Sequence, residues 1–217
     1  PVDIVNYSHS VVPSTPANPF WQMISLPFEF EANDGSIKSI LETSFGDYDI
    51  HNQTKWRLLY WLTQKNDYGE YKVDNIGSFE RGKAFWLATT ETGFKIPSGF
   101  SAPAENHTIN VLPNAGGNPF DGWRQISNPF AFTVAWDCVK VVNGDIGDLS
   151  VPQYFDADSH KYVATDILQP WTGYFVKNNT DRNLSLVIPP IESSGSGGGS
   201  TMLVPPKQSP ADWSLQV

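Results

Sequence analysis

Apolar and polar residues alternate along this chain in short runs, and Gly, Asn, Asp and Pro separate the runs. Val5, Tyr7, His9 and Val11 alternate with Asn6, Ser8 and Ser10, a period of two that predicts a strand. Pro13, Pro16 and Pro19 follow as a stiff link. Beyond it the pattern predicts strands over 20–25, 56–62, 70–74, 84–89 and 93–96, and again over 122–127, 152–156, 160–164, 173–177 and 184–188. Each run is too short for a stable helix and is rich in aromatic and β-branched residues. Residues 36–43 are a helical candidate, since Ile37, Ile40 and Leu41 recur at helical spacing behind Ser36, a capping residue. Residues 134–141 are ambiguous, because Val139, Val141 and Val142 would equally extend a strand.

The two sets of strands are two diverged copies of one unit. Trp21 aligns with Trp123, Ile24 with Ile126, Ser25 with Ser127, Pro27 with Pro129, Phe28 with Phe130 and Phe30 with Phe132, six identities in an eleven-residue window. Tyr60 and Trp61 then align with Tyr154 and Phe155, Tyr71 with Tyr162, and Ala84–Leu87 with Gly173–Val176. Each copy closes on an Ile-Pro pair, Ile96-Pro97 and Ile188-Pro189. The expected organisation is an N-terminal strand and Pro-rich link (1–19), a first β repeat (20–102), a connector (103–118) with a short strand from His107 to Leu112, a second β repeat (119–191), and a Gly/Ser linker with a C-terminal arm (192–217). In the arm Trp213, Leu215 and Val217 alternate with Ser214 and Gln216, the opening of another strand. The expected fold class is all-β with one or two short helices: two tandem, similar β-subdomains of short antiparallel strands, in the manner of a β-sandwich.

Composition narrows the function classes. Charged residues are 17% and aromatics 13%, a balance that suits strands and turns better than a helical bundle. The net charge of −9 argues against nucleic acid as a partner, because binding a duplex requires a dense Lys/Arg surface. Cys138 is the single cysteine, so the fold is not a disulfide scaffold, and the residue is expected to be a small buried hydrophobe. No apolar run approaches the roughly 20 residues of a membrane span, so no membrane insertion is expected. The chain opens at Pro1 and reads as a processed product or a fragment.

The run Trp123–Phe130, the Asp-bearing turn Asp156–Asp158, the segment Leu168–Asn179 and the closing Ile188–Pro190 together resemble a tandem Trp-rich repeat found near the C-terminal ends of long secreted bacterial surface proteins. Ala211–Val217 resembles the start of the module that follows such repeats. The second copy matches better than the first. The resemblance implies an extracellular or cell-surface setting and carries no chemistry.

Candidate chemistry is sparse. Motifs for a serine hydrolase, a zinc protease, a phosphate loop or a dinucleotide fold are absent from the sequence, and His9, His51, His107 and His160 fall in separate segments. No catalytic residue, metal ligand or cofactor is assigned. Asp156, Asp158 and His160 begin like a calcium loop but lie where both copies place a hairpin turn, which favours Asp and Asn for backbone reasons. Asp47, Asp49, Glu70 and Asp74 are candidates for an acid–base pair only if the fold sets them at a suitable separation. Among the eight Trp, Trp21, Trp86 and Trp123 keep their place in the repeat and are expected in the core. Trp56 and Trp61 have opposite parity and cannot both face inward on a regular strand. Trp61, Tyr68, Trp136 and Trp171 are therefore the aromatics expected at the surface, where they would form a carbohydrate-binding site. Five Asn-x-Ser/Thr sequons, at Asn6, Asn52, Asn106, Asn178 and Asn183, are glycan acceptors only in a host that glycosylates.

Two functions follow as expectations. One is a non-catalytic structural or adhesive module, neither enzyme nor cofactor protein, whose partners are neighbouring domains or copies of the same protein. In that reading Trp213, Leu215 and Val217 form an assembly strand that builds filaments by strand addition. The other is an accessory module that binds polysaccharide.

Overall fold

The computed structural model describes residues 3–14, 20–31, 34–51, 55–114, 116 and 118–193; the C-terminal arm with Trp213, Leu215 and Val217 lies outside the described residues. The chain is all-β with little helix. In the first repeat β2 (Gln22–Ser25), β6 (Ala84–Thr89), β4 (Trp56–Leu62) and β5 (Asp67–Glu70) form a four-stranded antiparallel sheet in that order. Across the core lies a second sheet, in which β7 (Gly93–Ser101) sits between β1 (Asp3–Ser10) and β3 (Phe28–Glu29). In the second repeat β9 (Trp123–Ser127), β15 (Gly173–Lys177), β12 (Gln153–Asp156) and β13 (Lys161–Ala164) repeat the four-stranded order. Its second sheet sets β16 (Leu184–Ile188) between β8 (His107–Val111) and β11 (Lys140–Val142), and β10 (Val134–Ala135) pairs with β14 (Ile167–Leu168).

The repeat extends to hydrogen-bond register. Met23 faces Trp86 and Ile24 faces Phe85, just as Gln125 faces Phe175 and Ile126 faces Tyr174. Leu59 opposite Trp86 corresponds to Gln153 opposite Phe175. The hairpins match as well: Leu62 pairs with Asp67 and Asp156 with Lys161, each across four residues whose last, Asn66 or His160, is left-handed (φ 51° and 54°). This register shifts one sequence alignment. Tyr162 corresponds to Tyr68, because Trp61 pairs with Tyr68 as Phe155 pairs with Tyr162. The expected strand 70–74 is displaced to Asp67–Glu70, and the chain turns away from the sheet after Glu70, whose carbonyl accepts the N–H groups of Val73 and Asp74. Tyr71 keeps one last bond to the sheet, its N–H to the Leu58 carbonyl at 3.1 Å, and packs its ring on Trp56 in the core, at 5.7 Å between rings.

The copies differ where the sequence is ambiguous. In the first, Ile37, Ile40, Leu41 and Phe45 bury one side of a helical stretch, a π-helical turn Lys38–Glu42 running into Thr43–Phe45. Ser36 Oγ accepts the Ser39 N–H at 3.0 Å, and Ser44 Oγ accepts the Lys95 N–H of β7. In the second, Trp136–Cys138 makes one 3-10 turn, and the chain then extends as β11 along β16. There the β-branched run Val139–Val142 wins over a helix. Cys138 is half-buried beside Asp137 rather than deep in the core.

Each repeat has its own core between its two sheets, holding Ile24, Leu58, Phe85, Leu87, Phe94 and Ile96 in one copy and Ile126, Tyr174, Val176, Leu184, Leu186 and Ile188 in the other. The four-stranded sheets are covered on both faces over β6 and β15, while β13 stays largely exposed. Their outer faces meet in a third cluster, Met23, Trp61, Trp86 and Phe175, with Trp21, Leu59, Trp123 and Phe155 at its margin. The result is four layers of sheet related by an internal pseudo-twofold. The Ser25 N–H donates to the Trp171 carbonyl at 3.0 Å and the Ser127 N–H to the Gly82 carbonyl at 2.9 Å. Ser25 Oγ donates to the Thr172 carbonyl and Ser127 Oγ to the Lys83 carbonyl. Equivalent residues thus exchange equivalent bonds, the signature of an isologous contact. Ala84 and Gly173 are also equivalent, and they meet at the contact: a Cβ on Gly173 would stand 2.6 Å from the Ala84 Cβ, so glycine is required there.

Candidate functional site

The contact between the repeats opens at one end into a cleft of about 270 Å3 lined by Trp61, Tyr68, Phe120, Trp123, Gln153, Tyr162 and Phe175. Six strands and the turn before β9 supply these residues. Trp61 and Tyr68 are cross-strand partners on β4 and β5, Trp123 lies on β9, Gln153 on β12, Tyr162 on β13 and Phe175 on β15, and Phe120 comes from the turn before β9.

The floor is fixed by polar contacts. Strand β4 runs past the end of its pairing with β6 at Leu59–Trp86, and the Trp61 N–H is taken instead by Gln125 Oε1 of the other repeat at 3.0 Å. The Gln125 amide is buried and also approaches Met23 Sδ. The Trp61 indole N–H donates to the Trp123 carbonyl at 3.1 Å. Trp86 donates its indole N–H to the Tyr68 hydroxyl at 3.2 Å, and Tyr162, which the pseudo-twofold exchanges with Tyr68, lines the cleft with it. Burial pushes both hydroxyls above the ordinary tyrosine range and keeps them neutral. At the rim Asn66 donates to Asp121, and Asp121 accepts the Asn118 N–H, which ties the first repeat's hairpin to the connector.

The rings stand at steep angles to one another. Trp61 is 5.0 Å from Tyr68 at 72°, 6.1 Å from Phe120 at 64° and 6.1 Å from Phe175 at 83°. Phe175 is 6.2 Å from Trp123 at 84° and 5.9 Å from Tyr162 at 77°. Phe120, Tyr162 and Tyr68 are 53%, 46% and 38% exposed and form the open lip.

Of the four aromatics expected at the surface, the structure brings Trp61 and Tyr68 together here and separates the others. Trp61 is buried, contrary to expectation, because the sheet has a second covered face; Trp56 and Trp61 do point to opposite faces, and both are enclosed. Trp136 is buried in the second repeat's core. Trp171 reaches across to the first repeat and stacks on Tyr7 and His9 at 5.0 and 4.3 Å, nearly parallel to each. Trp86 is buried as expected, while Trp21 and Trp123 are half-buried. Phe120 and Tyr162 were missed from sequence. Matching the two hairpin lengths would have flagged Tyr162, whereas Phe120 carries no local signal.

Glu70, Asp74, Asp49 and Asp156 have structural partners, and Asp47 stands apart from them beside the helical stretch. Glu70 accepts two hydrogen bonds from Arg57 and one from Tyr48, and these outweigh its burial to hold the carboxyl below the usual range. Asp74 accepts from the Glu70 N–H and from Lys65, which lower it too. Asp49 accepts the His51 N–H. Asp156 accepts Ser159 Oγ at 2.6 Å and the Asp158 N–H, a turn that needs no ion. Among the described residues no group of three or more His, Cys, Asp or Glu could hold a metal ion. Asn178 is fully buried, with its amide donating to the Leu112 and Arg182 carbonyls, so that sequon is closed. No helix among the described residues is long and apolar enough to cross a membrane.

Compared with known protein families, curated proteins and solved structures, the chain gives no match.

Proposed function

We propose that the protein is a non-catalytic structural or adhesive module of an extracellular bacterial surface protein, in which two repeats act as one rigid block. The observation that carries this reading is the reciprocal exchange between Ser25 and Ser127 over a shared aromatic core. Small independent domains on a linker have no reason to bury Trp61, Trp86 and Phe175 against each other, whereas a load-bearing spacer does. The contact is isologous and closes on itself, so it cannot also recruit a further copy. Contacts with neighbouring domains or copies then fall to open strand edges, and we assign strand addition to the arm carrying Trp213, Leu215 and Val217. The polysaccharide reading has less support, since Tyr68 is the one residue of its four that is exposed.

Single-molecule pulling on the full chain between marker domains tests the block. One unfolding event releasing both repeats is expected; two events, each of one repeat's length, would refute it. Protease treatment of intact source cells tests the location, and a fully protected epitope would overturn the surface assignment.

A further inference from the structure

The aromatic cleft has a chemistry that a structural role leaves unused. Six rings and one amide line it, with no Lys, Arg or His among them. The rings are set steeply to their neighbours, so faces and edges enclose one space from several sides. An aromatic face carries negative potential, and several converging faces favour a cation whose hydration shell is weak enough to shed. Beside the lip stand two carboxylates, Asp67 next to Tyr68 and Asp121 next to Phe120, and the whole chain is at −9. The chain's own cations show the same preference: Lys177 lies 5.7 Å over the Trp123 ring, and Arg57 lies 5.7 Å over its counterpart Trp21.

We propose that this cleft binds a quaternary ammonium group, specifically a choline-type headgroup. A trimethylammonium ion presents methyl groups to rings on all sides and has no N–H that must be satisfied, which suits a site with a single amide. Gln153 supplies that amide for one hydroxyl or ester oxygen beside the ammonium. The volume of about 270 Å3 fits one small headgroup and not an oligosaccharide. Burial keeps the tyrosine hydroxyls neutral, so the attraction comes from ring faces and rim carboxylates and persists across neutral pH.

The pseudo-twofold explains why the described residues form one such site and not two. The equivalent of Trp61 against Phe175 is Phe155 against Trp86, the same ring types with their chain positions exchanged. The first pair is 6.1 Å apart and lines the cleft; the second is 4.9 Å apart, and Trp86 reaches on to bond Tyr68. One side of the contact is closed and the other is open.

The test is a titration of the intact protein with choline, followed by ring-proton NMR. The parallel arms are 3,3-dimethylbutanol, the neutral carbon isostere, methyl glucoside, and a trimethyl-lysine peptide. Saturable choline binding that shifts Tyr162 and Phe120 is expected, with the isostere at least tenfold weaker. Tyr162→Ala and, separately, Phe120→Ala should each weaken choline at least tenfold at an unchanged melting temperature; Phe120 lies outside the sheets, so that variant keeps the test valid if Tyr162→Ala does not fold. Equal binding of the isostere would reduce the cleft to a hydrophobic dent and overturn the proposal. So would the absence of saturation by choline, preferential binding of the glucoside, or tighter binding of the peptide than of choline.

Discussion

Gly82 and Trp171 occupy the same place in the two repeats, two residues before Ala84 and Gly173, and both have left-handed backbone, φ 77° and 66°. Both carbonyls accept the cross-repeat bond from the equivalent serine. Around them the copies diverge. At Gly82 there is no room for a side chain, since a Cβ would stand 2.4 Å from His107 Nε2 on β8. At Trp171 the equivalent space is filled by the indole itself, stacked on Tyr7 and His9 of β1 and edge-on to Phe28. A left-handed non-glycine residue costs about 1–2 kcal/mol, and here burial of a large aromatic across the contact offsets that cost. The same backbone turn thus serves two ends, a close approach in one copy and a clasp between copies in the other.

Three measurements break or sharpen this comparison. The largest effect is expected from Trp86→Ala, which empties the closed side of the shared core. It should cost about 3–5 kcal/mol, as for other buried large aromatics, read as a lower denaturation midpoint for both repeats together. If the second repeat keeps its midpoint, the repeats are not coupled.

The clasp should also make stability depend on pH. Burial lowers the His9 pKa from 6.5 to about 4. Between those values the unfolded chain binds the extra proton, so this contribution is full above pH 6.5 and is lost as pH falls toward 4. The imidazole is partly exposed, and the loss is on the order of 2 kcal/mol. His107 is lowered in the same sense, chiefly by burial and then by Arg81, so the difference between the parent and His9→Phe isolates the clasp. Parallel stability curves for the two proteins from pH 7 to 4 would contradict it.

The smallest effect belongs to Gly82→Ala. Its left-handed backbone and the approach of His107 should together cost about 1–2 kcal/mol. Trp171→Gly, by contrast, relieves strain but removes the stack, and should loosen β1 selectively, seen as faster amide exchange at Tyr7–Ser10. Equal responses of the two positions would show that the asymmetry between them has no energetic weight.

Much of the fold was written locally. Alternation and turn residues placed β4 at 56–62, β6 at 84–89, β15 at 173–177 and β16 at 184–188. The shared Trp-x-x-Ile-Ser and Ile-Pro motifs marked the duplication, because each copy must satisfy the same pairing register. The cleft was only partly legible. Trp61 and Tyr68 are named from sequence as surface aromatics, which holds for Tyr68 and fails for Trp61, covered by the other repeat. Parity is a property of the strand and was read correctly for Trp56 and Trp61. Burial of the second face is a property of whatever packs on it, and that partner is a sheet some hundred residues away.

The sequence by itself determined the strand class, most strand positions, the repeat and the place of the hairpin turns, since sterics and side-chain period act over a few neighbouring residues. The tertiary structure alone decided which tryptophans are covered, where Trp171 reaches and where the aromatic cleft opens. Those outcomes depend on two distant sheets meeting across a pseudo-twofold, and on a Trp and a Phe exchanging places between them.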